Sequence, residues 1–232
     1  MFKVCLDPGH GGNDRANKGH SGYVEADGVL DVAIKTRDIL RKYPIEVVLT
    51  RDRDMTLDPP ERIKKVNDTN ADIVVSIHTN AGPKEANGTE TYYSIFSQPG
   101  KGGHKLATLI QKYVVEECGT FNRGIKTRKG SNGLDYYFMI RETKMPAVIV
   151  EGAFHTNTDE EKLLKTDEFR IKYAKGIAKG ILEYAGISWK DRQDSLYKVQ
   201  LGAFSNHENA KKLADKLKQM GYDTYIVEED KK

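Results

Sequence analysis

A chain of 232 residues, with 37 basic and 34 acidic side chains, has room for one large domain and a small second one; its net charge of +3 argues against nucleic acid as a partner and leaves only a weak attraction to anionic surfaces. Two cysteines, Cys5 and Cys118, make no disulfide framework, so the chain is expected to fold in a reducing compartment. The opening MFKVCLDPGH lacks the apolar stretch and cleavage site of a secretory signal, and no segment is long enough to span a membrane; synthesis in the cytoplasm, with action elsewhere by another route, is the expectation.

In chain order, FKVCL (2–6) reads as a buried strand in which Cys5 is a small hydrophobe rather than a reactive thiol. VEADGVLDVAIKTRDILRKY (24–43) places Val29, Val32, Ala33, Ile39 and Leu40 at helical spacing. IEVVLT (45–50) follows as a strand, PPERIKKVNDT (59–69) as a helix opened by proline, and DIVVSIH (72–78) as a third strand. GTETYYSIF (88–96) reads as a strand, and GGHKLATLIQKYVVEEC (102–118) as a helix carrying Leu106, Leu109, Ile110 and Val114 on one side. DYYFMI (135–140) and PAVIVEGAF (146–154) supply two more strands, and residues 158–186 a long or broken helical region. Strands alternating with helices predict an α/β fold: a mostly parallel, twisted sheet of about six strands with helices on both faces.

Domain limits follow from this reading. Residues 1–186 form the α/β domain, and 187–195, containing the polar SWKDRQDS, form a linker. Residues 196–232 read strand, helix, strand: YKVQLGAF, NHENAKKLADKLKQMG and DTYIV, a small βαβ module. Such a short tail buries little apolar area and is expected to dock, dimerise or join a larger module.

Chemistry concentrates where strands give way to loops. LDPGHGG (6–12) ends the first strand in a turn that holds one imidazole, His10, at the strand's carboxyl end. Glu25 stands at the mouth of the first helix, His78 closes DIVVSIH, and Glu151 ends AVIV. In a parallel sheet these ends share one edge, so the four groups converge. Two neutral imidazoles and one carboxylate suit zinc and leave a position for water, with Glu151 as the general base. Asp7 competes with Glu25 for the carboxylate position, although an acid before Pro8 also shapes turns. His20, His104, His155 and His207 are assigned to the surface or to the surroundings of the site, His155 lying nearest to substrate. The glycine-rich GHGGNDRANKGHSG lacks the Lys-Ser/Thr ending of a phosphate loop, so nucleotide binding is rejected there. By itself this pattern reaches metal-assisted amide hydrolysis.

VCLDPGHGG, VEADGVLDVA, DIVVSIHTNA and MPAVIVEGAFHTN, in that order over residues 1 to about 186, resemble the zinc-dependent N-acetylmuramoyl-L-alanine amidases whose fold is a six-stranded α/β sheet. The resemblance implies one Zn²⁺ held by His10, Glu25 and His78, with Glu151 assisting the water. It also implies the substrate, the amide joining N-acetylmuramic acid to the first L-alanine of the peptidoglycan stem peptide. Asn80, two residues beyond His78, and Arg141, suited to a bidentate carboxylate contact, are the expected substrate-binding residues. The tail resembles part of the sporulation-related repeat, which implies peptidoglycan binding and a raised local enzyme concentration. The implied setting is a phage endolysin or a bacterial autolysin. A zinc peptidase acting within the stem peptide and a non-catalytic wall-binding protein are the competing readings.

Overall fold

The computed structural model describes residues 1–190 and 200–228, and the chain divides into two compact units, Met1–Trp189 and Lys190–Lys232. In the first unit the strands are β1 (Phe2–Pro8), β2 (Ile45–Leu49), β3 (Ile73–Asn80), β4 (Thr89–Tyr93), β5 (Asn122–Lys126) and β6 (Ala147–Phe154). The helices are α1 (Glu25–Leu40), α2 (Pro59–Asp68), α3 (Gly102–Cys118), α4 (Phe138–Arg141), α5 (Thr158–Leu164) and α6 (Asp167–Tyr184). The sheet runs β2-β1-β3-β6-β4-β5, parallel at every pairing except β4 against β6.

Alternation along the central strands divides the core between the two faces. Val4, Leu6, Ile73, Val75, Ile77, Val148 and Val150 face a layer built by α1, α3 and α6. Cys5, Val74, Ala147 and Ile149 face the other way, against Val66 of α2 and Met139 and Ile140 of α4. Helices therefore cover both faces, as the alternating pattern predicts. The last helical region is broken: α5 ends at Leu164, and Thr166 caps α6 by accepting from the Phe169 amide at 3.2 Å.

Two expectations are corrected. DYYFMI is not a strand; its second half is the short helix α4, which buries Met139 and Ile140. A six-residue apolar run fits a buried helical turn as well as a strand, and here the helix won. The sixth strand is instead β5, NRGIK, whose polar residues and glycine carry no strand signal.

In the tail, α7 (His207–Gln219) forms, with Asn206 capping it through the Glu208 amide at 2.8 Å. The expected flanking strands do not appear among the described residues: 200–204 and 223–227 are irregular, and 197–199 lie outside the described residues. Leu201, Phe204, Tyr222, Ile226 and Val227 stay exposed, so the described residues of the tail bury no apolar face on which a sheet would be stabilised. Of the expected linker, Ile187 and Trp189 pack on the core of the first unit, and 191–195 lie outside the described residues.

Candidate metal centre and active site

His10 lies two residues beyond β1, in a turn where it adopts φ 59° beside Gly11 and Gly12, both also at positive φ. Two buried arginines hold this turn by its carbonyls. Arg51 donates from Nε to Pro8 O at 3.0 Å and from Nη2 to Gly9 O at 2.7 Å. Arg62 donates to Pro8 O at 2.9 Å and to His10 O at 2.8 Å. Asp7 orients Arg62 at 2.7 Å and accepts from Thr50 and Ser76, each at 2.7 Å. Burial would raise the Asp7 carboxyl, but Arg62 and the two hydroxyls overcome it and hold it below the ordinary value. Asp7 is thus committed to the turn and does not compete with Glu25 as a ligand.

Glu25, 1% exposed, is the first residue of α1 and accepts the Thr79 amide at 2.8 Å. Its Oε1 lies 3.0 Å from His78 Nδ1, and its Oε2 lies 3.4 Å from His10 Nε2. The two imidazoles meet edge to face with centroids 5.0 Å apart. One ligand atom from each of His10, Glu25 and His78 falls within 4.8 Å of the others, so the three side chains converge as a potential metal-binding group. Burial would raise Glu25, but both imidazoles overcome it and hold the carboxyl well below its usual range. Burial would lower His10, but Glu25 and Asp14 hold it up at about 9. Asp14 Oδ2 accepts from His10 Nδ1 at 2.8 Å, and this contact leaves Nε2 facing Glu25. Close packing also aims His78: a Cβ added at Gly9 would lie 2.1 Å from its Cε1.

Glu151 pairs with His78 across β3 and β6, where the register shifts between His78 and Asn80. Tyr173 of α6 fits against this irregularity, donating to His78 O at 3.0 Å and to Val150 O at 2.9 Å, and its ring fills the space that a side chain at Gly152 would take. Glu151 Oε2 is buried without a hydrogen-bond partner, and burial pushes the carboxyl up to about 7. A buried acceptor left unpaired beside two imidazoles and a carboxylate fits a site completed by a cation and its water. The donor set, two ring nitrogens and one carboxylate oxygen, fits zinc in particular.

Residues 4–183 match the N-acetylmuramoyl-L-alanine amidase family, and residues 193–232 match the SPOR domain. The chain belongs to the amidase family. It is 32% identical to the sporulation-specific N-acetylmuramoyl-L-alanine amidase of Bacillus subtilis (strain 168) over 99% of this chain and 86% of that one. It is 36% identical to the endolysin of Bacillus phage SPP1 over 81% of this chain and 67% of that one. Among solved structures, the catalytic domain of CwlV, an N-acetylmuramoyl-L-alanine amidase from Bacillus (Paenibacillus) polymyxa var. colistinus, superposes with a TM-score of 0.72 at 36% identity, covering 81% of this chain and 100% of that one.

The remaining candidates of this amidase fall at varied distances from the cluster. Asn80 turns its amide to Glu90 Oε1 at 2.8 Å instead of into open space. Arg141 donates from Nη1 to the carbonyls of Asp135 and Tyr136 at 2.7 and 3.0 Å and from Nε to Glu142 at 2.7 Å, so its guanidinium is engaged within the domain. His155 is buried behind Glu25 at 3.8 Å, with Nδ1 3.0 Å from Thr79 Oγ1 and its ring stacked on Tyr23. His20 and His207 are exposed, and His104 packs edge to face on Tyr93.

The sequence reading missed Glu90 and Asn17. Asn17 bridges the ligand cluster, 3.1 Å from His10 Nε2 and 2.9 Å from Glu25 Oε2. Glu90, 3% exposed, stands opposite Glu151 on β4 and takes Arg123, Lys126, Tyr92 and Asn80 as partners. Burial works against its ionisation, yet Lys126 and Arg123 hold it down at about 2. An acid in the middle of the inward-facing TETYY run was the signal available.

Proposed function

We propose that this chain is a zinc-dependent N-acetylmuramoyl-L-alanine amidase with one Zn²⁺ per chain, held by His10, Glu25 and His78. Its substrate is the amide between N-acetylmuramic acid and the first L-alanine of the peptidoglycan stem peptide. The observation that carries the reading is the unpaired Glu151 Oε2 beside that cluster, in a chain of the amidase family. A bound zinc supplies an acidified water at neutral pH and polarises the scissile carbonyl.

The chain's own residues supply the rest. Glu151, raised to about 7 by burial, is matched to taking a proton from a water near neutrality and passing it to the leaving L-alanine nitrogen. Asp14 holds the His10 ring through Nδ1, and the Thr79 amide holds Glu25, so little reorganisation is required when a substrate arrives. Glu90, paired with Arg123 and Lys126, adds its negative charge to the burial that holds the Glu151 carboxyl up. Asn80 and Arg141 bind substrate in this reading only if their present hydrogen bonds are exchanged.

The SPOR-matching tail retains the enzyme on peptidoglycan, and its exposed Phe204 and Tyr222 are available for that contact. The site of action is the cell wall. Among the described residues, no helix is long and apolar enough to cross a membrane. The settings named for its relatives, sporulation and phage lysis, are both compatible with this chemistry.

Product analysis on purified peptidoglycan tests the proposal. New L-alanine amino termini without new reducing sugar ends, abolished by chelation and restored by zinc, are expected. New termini at other residues would instead indicate a stem-peptide peptidase. No cleavage by zinc-loaded protein would leave a wall-binding protein.

A further inference from the structure

Next to the proposed active site, residues 128–136 form a hairpin whose function the amidase chemistry does not use. The Gly130 amide donates to Leu134 O at 2.7 Å, and the Tyr136 amide to Arg128 O at 2.9 Å. Asp135, 4% exposed, anchors it by accepting from Ser94 Oγ at 2.7 Å and the Ile95 amide at 2.8 Å. Arg141 ties its far strand through the Asp135 and Tyr136 carbonyls. The hairpin is therefore held by the domain at several points.

It borders an open, solvent-facing cavity of about 450 Å³ lined by Arg128, Lys129, Asn132, Tyr136 and Arg141. Arg128 lies over the Tyr136 ring, 3.7 Å from its centroid, and hydrogen-bonds the Tyr137 side chain, contacts that orient the guanidinium fork while its remaining N–H groups can reach a ligand. Among the described residues neither Arg128 nor Lys129 has a carboxylate partner, and the acid of the hairpin, Asp135, is turned inward to Ser94 and Ile95. Arg128 and Lys129 thus stand at the cavity without neutralising carboxylates, whereas Arg141 is paired with Glu142 at 2.7 Å. A chain of rings leads from it to the site: Tyr136 to Tyr137 at 5.1 Å, Tyr137 to Tyr92 at 4.9 Å, and Tyr92 Oη to Glu90, the cross-strand neighbour of Glu151, at 2.7 Å.

We propose that this cavity is a carboxylate-binding subsite for the peptide half of the substrate, with Arg128 and Lys129 as its cationic contacts. The proposal rests on the amidase reading for its substrate class. A stem peptide extends away from the scissile amide and carries carboxylates on its acidic residue and at its free end; a guanidinium fork and an ammonium pair with either by charge-assisted hydrogen bonds. Arg141 then acts as the residue that holds the hairpin in place, not as the contact itself.

The test uses the full zinc-loaded chain with Glu151→Gln, so that ligand is bound and not cut, and calorimetry with N-acetylmuramoyl-L-Ala-D-isoGlu-L-Lys. Two further ligands are amidated, one at the isoglutamate α-carboxylate and one at the terminal carboxylate. Arg128→Gln and Lys129→Gln are each expected to weaken the parent peptide about tenfold, with Arg128→Lys recovering part of the loss. Amidating the docked carboxylate is expected to produce the same weakening in the parent chain and to erase the difference between parent and variants, which identifies the docked group. Equal affinities of parent and variants for all three ligands, or no measurable binding by the parent, would overturn the subsite. Release of L-alanine termini by the chain with Glu151 intact is scored separately and reports on the amidase reading alone.

Discussion

At the residue scale, the proposed metal centre depends on residues outside the ligand cluster. Gly9 leaves the space that the His78 ring occupies, and a methyl there would collide with three ring atoms within 2.7 Å. Gly9→Ala is expected to lower zinc affinity by at least about tenfold while far-ultraviolet circular dichroism stays unchanged; zinc competition against a chromophoric chelator reads it. Asp7 acts one step further back, through Arg62 to the carbonyl of His10. Asp7→Asn leaves Arg62 buried and without its countercharge, at a cost of about 3 kcal/mol in urea unfolding at pH 7. Because the folded carboxyl lies below its ordinary value, its contribution is complete above the unfolded pKa of about 3.9 and fades as pH falls through the folded value. The gap between wild type and variant is therefore expected to hold from pH 7 to 5 and to narrow below pH 4. Cys5 follows the simpler expectation: it is fully buried, with its thiol pushed up to about 12 by burial and by Asp7, so it is poorly suited to be a nucleophile.

At the element scale, Tyr173 joins α6 to the two strands that carry His78 and Glu151. Tyr173→Phe leaves the ring against Gly152 but removes both hydrogen bonds, and a loss of about 1 to 2 kcal/mol in stability is expected. If the hydroxyl also sets the strand irregularity, kcat on a soluble muropeptide falls while zinc content stays at one per chain. Elements of this kind were unequally legible in the sequence. β1, β3 and β6 declare themselves as apolar runs because both faces of a central strand are buried, and His78 and Glu151 stand out as polar residues that interrupt β3 and β6, while His10 stands out in the glycine-rich turn after β1. β5 gave no such signal, since an edge strand need bury little, and DYYFMI misled because its period is too short to separate helix from strand. Tyr173 and Glu90 join the site by contacts with residues far away in the chain, which no local pattern encodes, and Asn17 joins it from an irregular loop eight residues before Glu25, where no periodicity marks it.

At the scale of the whole molecule, one α/β unit carries the proposed chemistry and the SPOR-matching tail the proposed adhesion. Because the ligand cluster draws on β1, α1 and β3, a bound ion ties together segments far apart in the chain. Zinc in excess is expected to raise stability toward urea by about 4 kcal/mol at a thousand times its dissociation constant, and chelation to remove that gain. His78→Ala should respond to neither treatment.

In the proposed site His10, Glu25 and His78 hold the metal while Glu151 moves the proton. The measurement that reaches this arrangement most directly is kcat of Glu151→Gln on a soluble muropeptide, with zinc determined on the same preparation. One zinc per chain and a kcat reduced by at least about 10³-fold are expected. A zinc-replete variant that cleaves at the wild-type rate, or one that has lost its zinc, would contradict it.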